Sequence, residues 1–274
     1  MDSIAKNILV PWDFTQSSHF ALEHAVKIAK IRNYNISLLH IIEHSKEEGK
    51  YQGKLKEIAS ETQSKTGIPT AVLIQNGDVL TTIAELASLP DTELVVMKTD
   101  GIVGMQKYTG SRAVKIMRGS KSPFIVVQDS PSENLFQKIV FPIDYRSENK
   151  EVVSVILNLS KYYTGKIYIY KTQTNDKVFK KTIANNMNFA RMMFESKHIE
   201  FEVHEGSVSK DYSIDVNEYA NSINADLIIV QLQRNLTLTK FLFGVKEQSI
   251  IANPFKIPVM VTNPKEIRVY AGFK

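Results

Sequence analysis

Residues 98–112, KTDGIVGMQKYTGSR, gather the residue types best suited to chemistry in this chain. Gly101, Gly104 and Gly110 are followed by Ser111, with Lys98 upstream. The stretch from Ser111 to Met117 reads as a helix, so Gly110-Ser111 stands at a helix N-terminus. Unsatisfied N–H groups and a partial positive charge there suit a phosphate. Glycine lets the backbone come close and take positive φ, and the Ser111 hydroxyl adds a donor. Gly101 and Gly104 let the preceding loop fold over the anion. Far upstream, Asp13 ends the apolar run Asn7–Pro11 and offers a carboxylate that accepts hydrogen bonds from a nucleoside, with ribose and base both open as donors.

Other chemistries lack their residues. There is no Gly-x4-Gly-Lys-[Ser/Thr] loop, no Gly-x-Gly-x-x-Gly fingerprint and no Gly-x-Ser-x-Gly elbow. His19 and His24 are five apart on one helix and do not share a face. His40, Glu43 and His44 sit where a strand gives way to a loop, a poor metal frame, and His204-Glu205 reads as a surface pair before the Gly206 turn. No nucleophile stands with a base. Binding rather than catalysis is the expectation, and no catalytic or metal residue is assigned.

The elements that would carry these residues occur twice. NILVPWDF at 7–14 returns as KIVFPIDY at 138–145, and LVVMKTDG at 94–101 returns as LIIVQLQR at 227–234. Asp144 follows Asp13 by 131 residues, Gly206 follows Gly77 by 129, Leu227 follows Leu94 by 133 and Pro258 follows Pro123 by 135. A slow drift of this kind is what loop insertions produce in a repeat. In the first copy, strands are expected at Ile8–Val10, Ile36–Ile42, Thr70–Ile74, Leu94–Met97 and Phe124–Gln128. Helices fall between them, the first behind a Thr15–Ser18 cap and the third, Val79–Ser88, behind an Asp78 cap. The second copy repeats the order with strands at Ile139–Phe141, Lys166–Tyr170, Glu200–Val203, Leu227–Val230 and Val259–Val261. Its helices fall near Val152–Tyr162, Val178–Phe194, Ile214–Ser222 and Val245–Ala252.

Strands alternating with helices predict an α/β fold with a parallel sheet covered on both faces. Ligands in such sheets bind beyond the carboxyl ends of the strands, at a topological switch point. Asp13, Ile41 and Lys98–Gly110 all follow strand ends. The 274 residues have ordinary globular composition, with 43% apolar and 23% charged, enough for two cores. No run approaches the roughly 20 apolar residues of a membrane helix, and Met1–Ser18 lacks the apolar core of a signal peptide. The absence of cysteine excludes disulfides and thiolate metal sites and fits a cytoplasmic location. The net charge of +5 lies wholly in the second half, where 19 Lys and Arg face 14 Asp and Glu, but it is scattered rather than patched. Neither nucleic acid nor membrane is expected as a partner.

On Pro11-x-Asp13, Leu39-His40-Ile41, the Gly77 turn, Gly101 with Gly110-Ser111, and Pro123 before a last strand, the chain resembles a tandem universal stress protein from about Lys6 to Thr262. The resemblance implies two Rossmann-like copies of the adenine nucleotide alpha hydrolase-like fold, each a five-stranded, mostly parallel sheet. They would span 1–131 and 135–265, with 266–274 as a tail. It implies a stress-response role with at most slow ATP hydrolysis, and an ATP site, with AMP, ADP and an accompanying magnesium ion as variants, at Pro11, Asp13, Ile41, Met97, Gly101, Gly110, Ser111 and Arg112. The family's Gly-x2-Gly-x9-Gly-[Ser/Thr] loop is altered here. Lys98 replaces the first glycine, and eight residues, not nine, separate Gly101 from Gly110. Lys98 either lends its ammonium to phosphates or blocks the pocket. In the second copy Gln231, Arg234 and Gly244-Val245 keep the spacing but lose two glycines and the hydroxyl, and Lys171 is read at the place of Ile41. That copy is expected to be structural. The alternative is a nucleotide-free dimerisation and interaction scaffold. The last strand of each copy is a sheet edge that invites pairing, as it does in the family, so the copies are expected to pair within the chain, with a homodimer as a further step.

Overall fold

The computed structural model describes residues 5–42, 48–99, 117, 120–133, 135–232 and 246–263. The expected glycine loop, the helix after it up to Met117, Arg234, Gly244-Val245 and the tail 266–274 lie outside them. The first half places β1 (Asn7–Pro11), α1 (Gln16–Arg32), β2 (Asn35–Ile42), α2 (Glu48–Thr66), β3 (Thr70–Asn76), α3 (Val79–Leu86), β4 (Thr92–Lys98) and β5 (Phe124–Val127) in that order. The second half places β6 (Lys138–Ile143), α4 (Asn149–Leu159), β7 (Lys166–Lys171), α5 (Lys177–Ser196), β8 (Phe201–Glu205), α6 (Tyr212–Ser222), β9 (Leu227–Gln231), α7 (Lys246–Ile251) and β10 (Val259–Thr262).

The ten strands of the described residues form one sheet in the order β3-β2-β1-β4-β5-β10-β9-β6-β7-β8. Every adjacent pair is parallel except the central one, where Val259, Met260 and Val261 run antiparallel to Val126, Ile125 and Phe124. The pattern is two 3-2-1-4-5 units joined at their last strands. Those strands are therefore interior, and β3 and β8 form the outer edges.

Side-chain alternation explains why both faces carry helices. Ile8, Val10, Leu94, Val96 and Ile125 point to one face, where α1, α2, α4 and α5 pack. Leu9, Leu39, Val95, Phe124 and Val126 point to the other, with α3, α6 and α7. The spacing of Phe20, Ala21, His24, Ala25 and Ile28 predicts a one-sided apolar stripe on α1. The helix buries Ala21, His24, Ala25 and Ile28 together with Leu22 and Ala29, Phe20 is only partly buried, and Asn33 closes it in the left-handed conformation. Asp78 caps α3 through the Leu80 and Thr81 amides, and Asp176 and Asp211 do the same for α5 and α6.

Candidate functional site

In the first half β1 pairs with β2 on one side and β4 on the other, so the chain reverses its direction of travel across the sheet at β1. The crevice at the carboxyl ends of β1 and β4 is the switch point. Asp13 leaves β1 there and Lys98 ends β4. Lys98 Nζ lies 2.7 Å from Asp13 Oδ2 and donates to Thr15 Oγ1 at 2.6 Å. The other carboxylate oxygen, Oδ1, accepts from Thr15 N at 3.1 Å, Thr15 Oγ1 at 2.7 Å and Ser18 Oγ at 2.6 Å.

Partial burial opposes ionisation of Asp13, but the hydrogen bonds from Lys98, Ser18 and Thr15 outweigh it and hold the carboxyl down to about 2. It is a fixed anion at neutral pH, with 41% of its side chain exposed. The expected Thr15–Ser18 cap is corrected here. Thr15 is the N-cap residue of α1 but makes no side-chain cap bond, because the neighbouring carboxylate takes its hydroxyl and that of Ser18. A charged acceptor makes the stronger bond.

Ile41 and Met97, both half-buried, pack on the same core face beside Leu39 and Val95. Pro11 stands opposite Leu39 in the ladder. Pro11, Asp13, Ile41, Met97 and Lys98 thus meet at the ends of three adjacent strands. Gly101, Gly104, Gly110, Ser111 and Arg112 lie outside the described residues.

Sequence reading missed an aromatic group beside Asp13. Phe14 holds a left-handed φ of 63°, uncommon for a bulky residue. Its ring meets His40 at 4.9 Å and stacks on Tyr51 at 5.5 Å, while His40 and Tyr51 are 4.3 Å apart. His40 Nδ1 donates to the Trp12 carbonyl at 2.8 Å, which ties β2 to the turn that carries Asp13. The signal in the sequence was the Trp-Asp-Phe triplet, but nothing local showed that Tyr51 would reach it.

The second half arranges the same aspartate differently. Asp144 Oδ2 meets Arg146 Nε at 2.6 Å, and Oδ1 accepts from Arg146 N and Asn149 Nδ2, each at 2.9 Å. Asn186 Nδ2 donates to the Asp144 and Arg146 carbonyls. Asp144 is buried at 7% exposure. Gln231, at the place of Lys98, donates to Glu151 at 2.9 Å instead. A cavity of about 10 Å³ remains among Pro142, Arg146, Asn149 and Gln231, about the least that holds one water.

The strand register also corrects the placing of Lys171. Pro142 stands opposite Tyr170 as Pro11 stands opposite Leu39, so Lys171 matches His40 and Thr172 matches Ile41. Lys171 pairs with Glu205 at 2.9 Å. Tyr170, fully buried, donates to Asp215 Oδ2 at 2.5 Å. A Cβ at residue 206 would fall 2.2 Å from the Tyr170 hydroxyl oxygen, so only glycine fits there. His204 and Glu205 are strand residues rather than turn residues, and His204 stacks on Tyr219 at 4.0 Å.

Residues 5–128 match the sequence profile of the Universal stress protein family. The fold likeness runs over both halves. A universal stress protein from Archaeoglobus fulgidus DSM 4304 superposes with a TM-score of 0.74 at 18% identity, covering 95% of this chain and 97% of that one. A putative universal stress protein from Pseudomonas aeruginosa UCBPP-PA14 gives 0.66 at 15% identity, covering 95% and 94%. No curated protein matches the sequence. Among the described residues no helix is long and apolar enough to cross a membrane, and no three His, Asp or Glu side chains gather as a metal site.

Proposed function

We propose that the chain is a tandem universal stress protein, with domains at about 1–131 and 135–265, whose first domain binds ATP or a related adenine nucleotide in a stress-response role. The second domain is structural. The observation that carries this reading is the Asp13–Lys98 pair at the switch point, open in the first half where Asp144 is sealed in the second. The fit to a nucleotide rests on donor chemistry. Asp13 is an ionised acceptor facing a crevice, Ile41 and Met97 supply apolar surface for a base, and Lys98 is a cation within reach of a phosphate chain that the Gly110-Ser111 turn would receive. Lys98 then exchanges the Asp13 carboxylate for phosphate oxygens, which reconciles its two readings, since it closes the site when empty and charges it when filled.

Calorimetry with ATP tests this on the full chain. Binding is expected for the wild type, at least about tenfold weaker in Asp13→Ala and in Gly110→Val, which corresponds to about 1.4 kcal/mol or more. No heat and no thermal shift at millimolar ATP would sink the nucleotide reading and leave the interaction scaffold. The pairing of β5 with β10 supports an intramolecular pseudo-dimer. Because that edge is used within the chain, a homodimer would have to form elsewhere, and light scattering reads its presence directly.

A further inference from the structure

Above the β5–β10 seam, between α1 and α4, lies a cavity of about 390 Å³ that belongs to neither switch point. Its size falls within the roughly 300–1,000 Å³ of small-molecule pockets. Both halves line it. Ile125 of β5, Met260 of β10, Val155 of α4 and Phe136 of the connection between halves make its apolar wall.

Four buried polar atoms of residues in its lining have no hydrogen-bond partner among the described residues: Arg32 Nε, Tyr163 Oη, Gln231 Oε1 and Asn263 Oδ1. Buried polar groups are nearly always paired, so four orphans in one cavity wall ask for a partner from outside. They sort by chemistry. Arg32 and Tyr163 form a donor end. The Arg32 guanidinium sits 3.9 Å from the Tyr162 ring centre and donates to Tyr34 Oη at 2.6 Å, and among the described residues no carboxylate pairs with it. Burial pushes the Tyr163 hydroxyl up to about 12, so it stays protonated and able to donate. Gln231 and Asn263 form an acceptor end. Each amide nitrogen is already committed, to Glu151 Oε2 and to the Ser120 carbonyl respectively, which leaves each amide oxygen, buried in a residue of the cavity lining, as the acceptor still to be met.

The repeat explains why the space is there. On α1, His24 donates to the Asp129 carbonyl at 3.2 Å and Lys27 to the Ser132 carbonyl at 2.6 Å, so the connecting segment covers that helix. The positions 131 residues on are Val155 and Asn158, and both line the cavity. We infer that the seam cavity is a second binding site, for a small amphipathic organic acid. Its carboxylate meets Arg32 and Tyr163, its apolar body lies on Ile125 and Met260, and a hydrogen-bond donor at its far end meets Gln231 and Asn263. The inference is independent of the nucleotide reading, since no residue is shared with the Asp13 crevice.

Indole-3-propionate carries all three features and serves as the probe on the full chain, followed by calorimetry and ligand-observed NMR. Two analogues each lack one feature: 3-propylindole has no carboxylate, and 1-methylindole-3-propionate has no N–H. Saturable binding at one site per chain is expected, about tenfold weaker for each analogue. Arg32→Gln and Tyr163→Phe weaken the acid by a similar factor and leave 3-propylindole unchanged. Ser154→Trp, at an exposed α4 position lining the cavity, blocks all three, with thermal unfolding as the control for folding. Asp13→Ala leaves the probe's affinity intact. Equal affinity for acid and analogues, no saturation at millimolar probe, or a higher melting temperature in Tyr163→Phe with no change in binding would overturn the site. Binding only to a chain ending at residue 263 would overturn it too, because the cavity would then belong to the chain's own tail.

Discussion

Asp13 and Asp144 occupy one position of a repeated fold and live in opposite surroundings. The cation on Asp13 arrives from another strand, Lys98 at the end of β4, so the crevice between β1 and β4 runs between the two charges. The cation on Asp144 arrives from two residues along its own turn, Arg146. Asn149 and Asn186 then finish the enclosure. Ser18 and Asn149, 131 residues apart, do the same job of donating to the carboxylate. Thr15 and Arg146 both donate as well, but Thr15 brings a neutral hydroxyl where Arg146 brings the counter-charge, and that one difference turns an open carboxylate into a closed one. A shared fold and a shared aspartate do not make two equal sites; the origin of the counter-charge decides.

The comparison can be broken most forcefully through the aspartates. Asp144→Ala strips a buried pair and removes the carboxylate that Arg146 and Asn149 share, so unfolding free energy should fall by about 3–5 kcal/mol. Asp13→Ala, at an exposed carboxylate, should cost under about 1 kcal/mol while removing nucleotide affinity. Denaturant titration of both variants reads the contrast, and equal costs would end it.

His24 and Val155 sharpen the contrast between the two faces of the seam. Burial holds the His24 imidazole down to about 4, against the bond to Asp129 and with help from the nearby Lys27 charge. The folded protein therefore resists protonation that the unfolded chain accepts below about 6.5. The stabilisation is complete above pH 6.5 and is lost as pH falls toward 4, a swing of roughly 3 kcal/mol. His24→Val, which copies the second half, should flatten that window; an unchanged pH profile would place the titration elsewhere.

Tyr170→Phe tests the second half's own filling. Loss of the hydroxyl donor to the Asp215 carboxylate should cost about 2 kcal/mol, whereas Leu39, its match in the first half, has no such bond to lose. The smallest effect expected comes from making the first turn like the second. Thr15→Arg should lower ATP affinity by about tenfold, roughly 1.4 kcal/mol, with stability within about 0.5 kcal/mol of wild type. An undiminished affinity would mean that a guanidinium on Asp13 is not what closes a site.

Much of the frame was legible beforehand because it rests on periodicity. The stripe of α1, the apolar runs of β2 and β9 and the Asp78 cap are local signals, and the 131-residue offset multiplied each by two. What the sequence could not disclose was side-chain reach across space. Lys98 looked like a missing glycine, and its pairing with Asp13 joins residues 85 positions apart. Counting along the chain puts Lys171 one place off because it does not fix which residue of β7 faces Pro142; the ladder does. The Phe14–His40–Tyr51 group and the orphaned atoms of the seam draw on elements far apart in sequence, so no window of residues could contain them.

The antiparallel join of β5 to β10 has one more consequence. Two separate copies of a single domain meeting at such a seam would be bound by their two-fold axis to carry every substitution twice. In one chain the axis is only approximate, and each side can be written alone. Thr15 can answer to Arg146, Leu39 to Tyr170 and Arg32 to Tyr163, so matched positions carry different chemistry on the two sides of the seam.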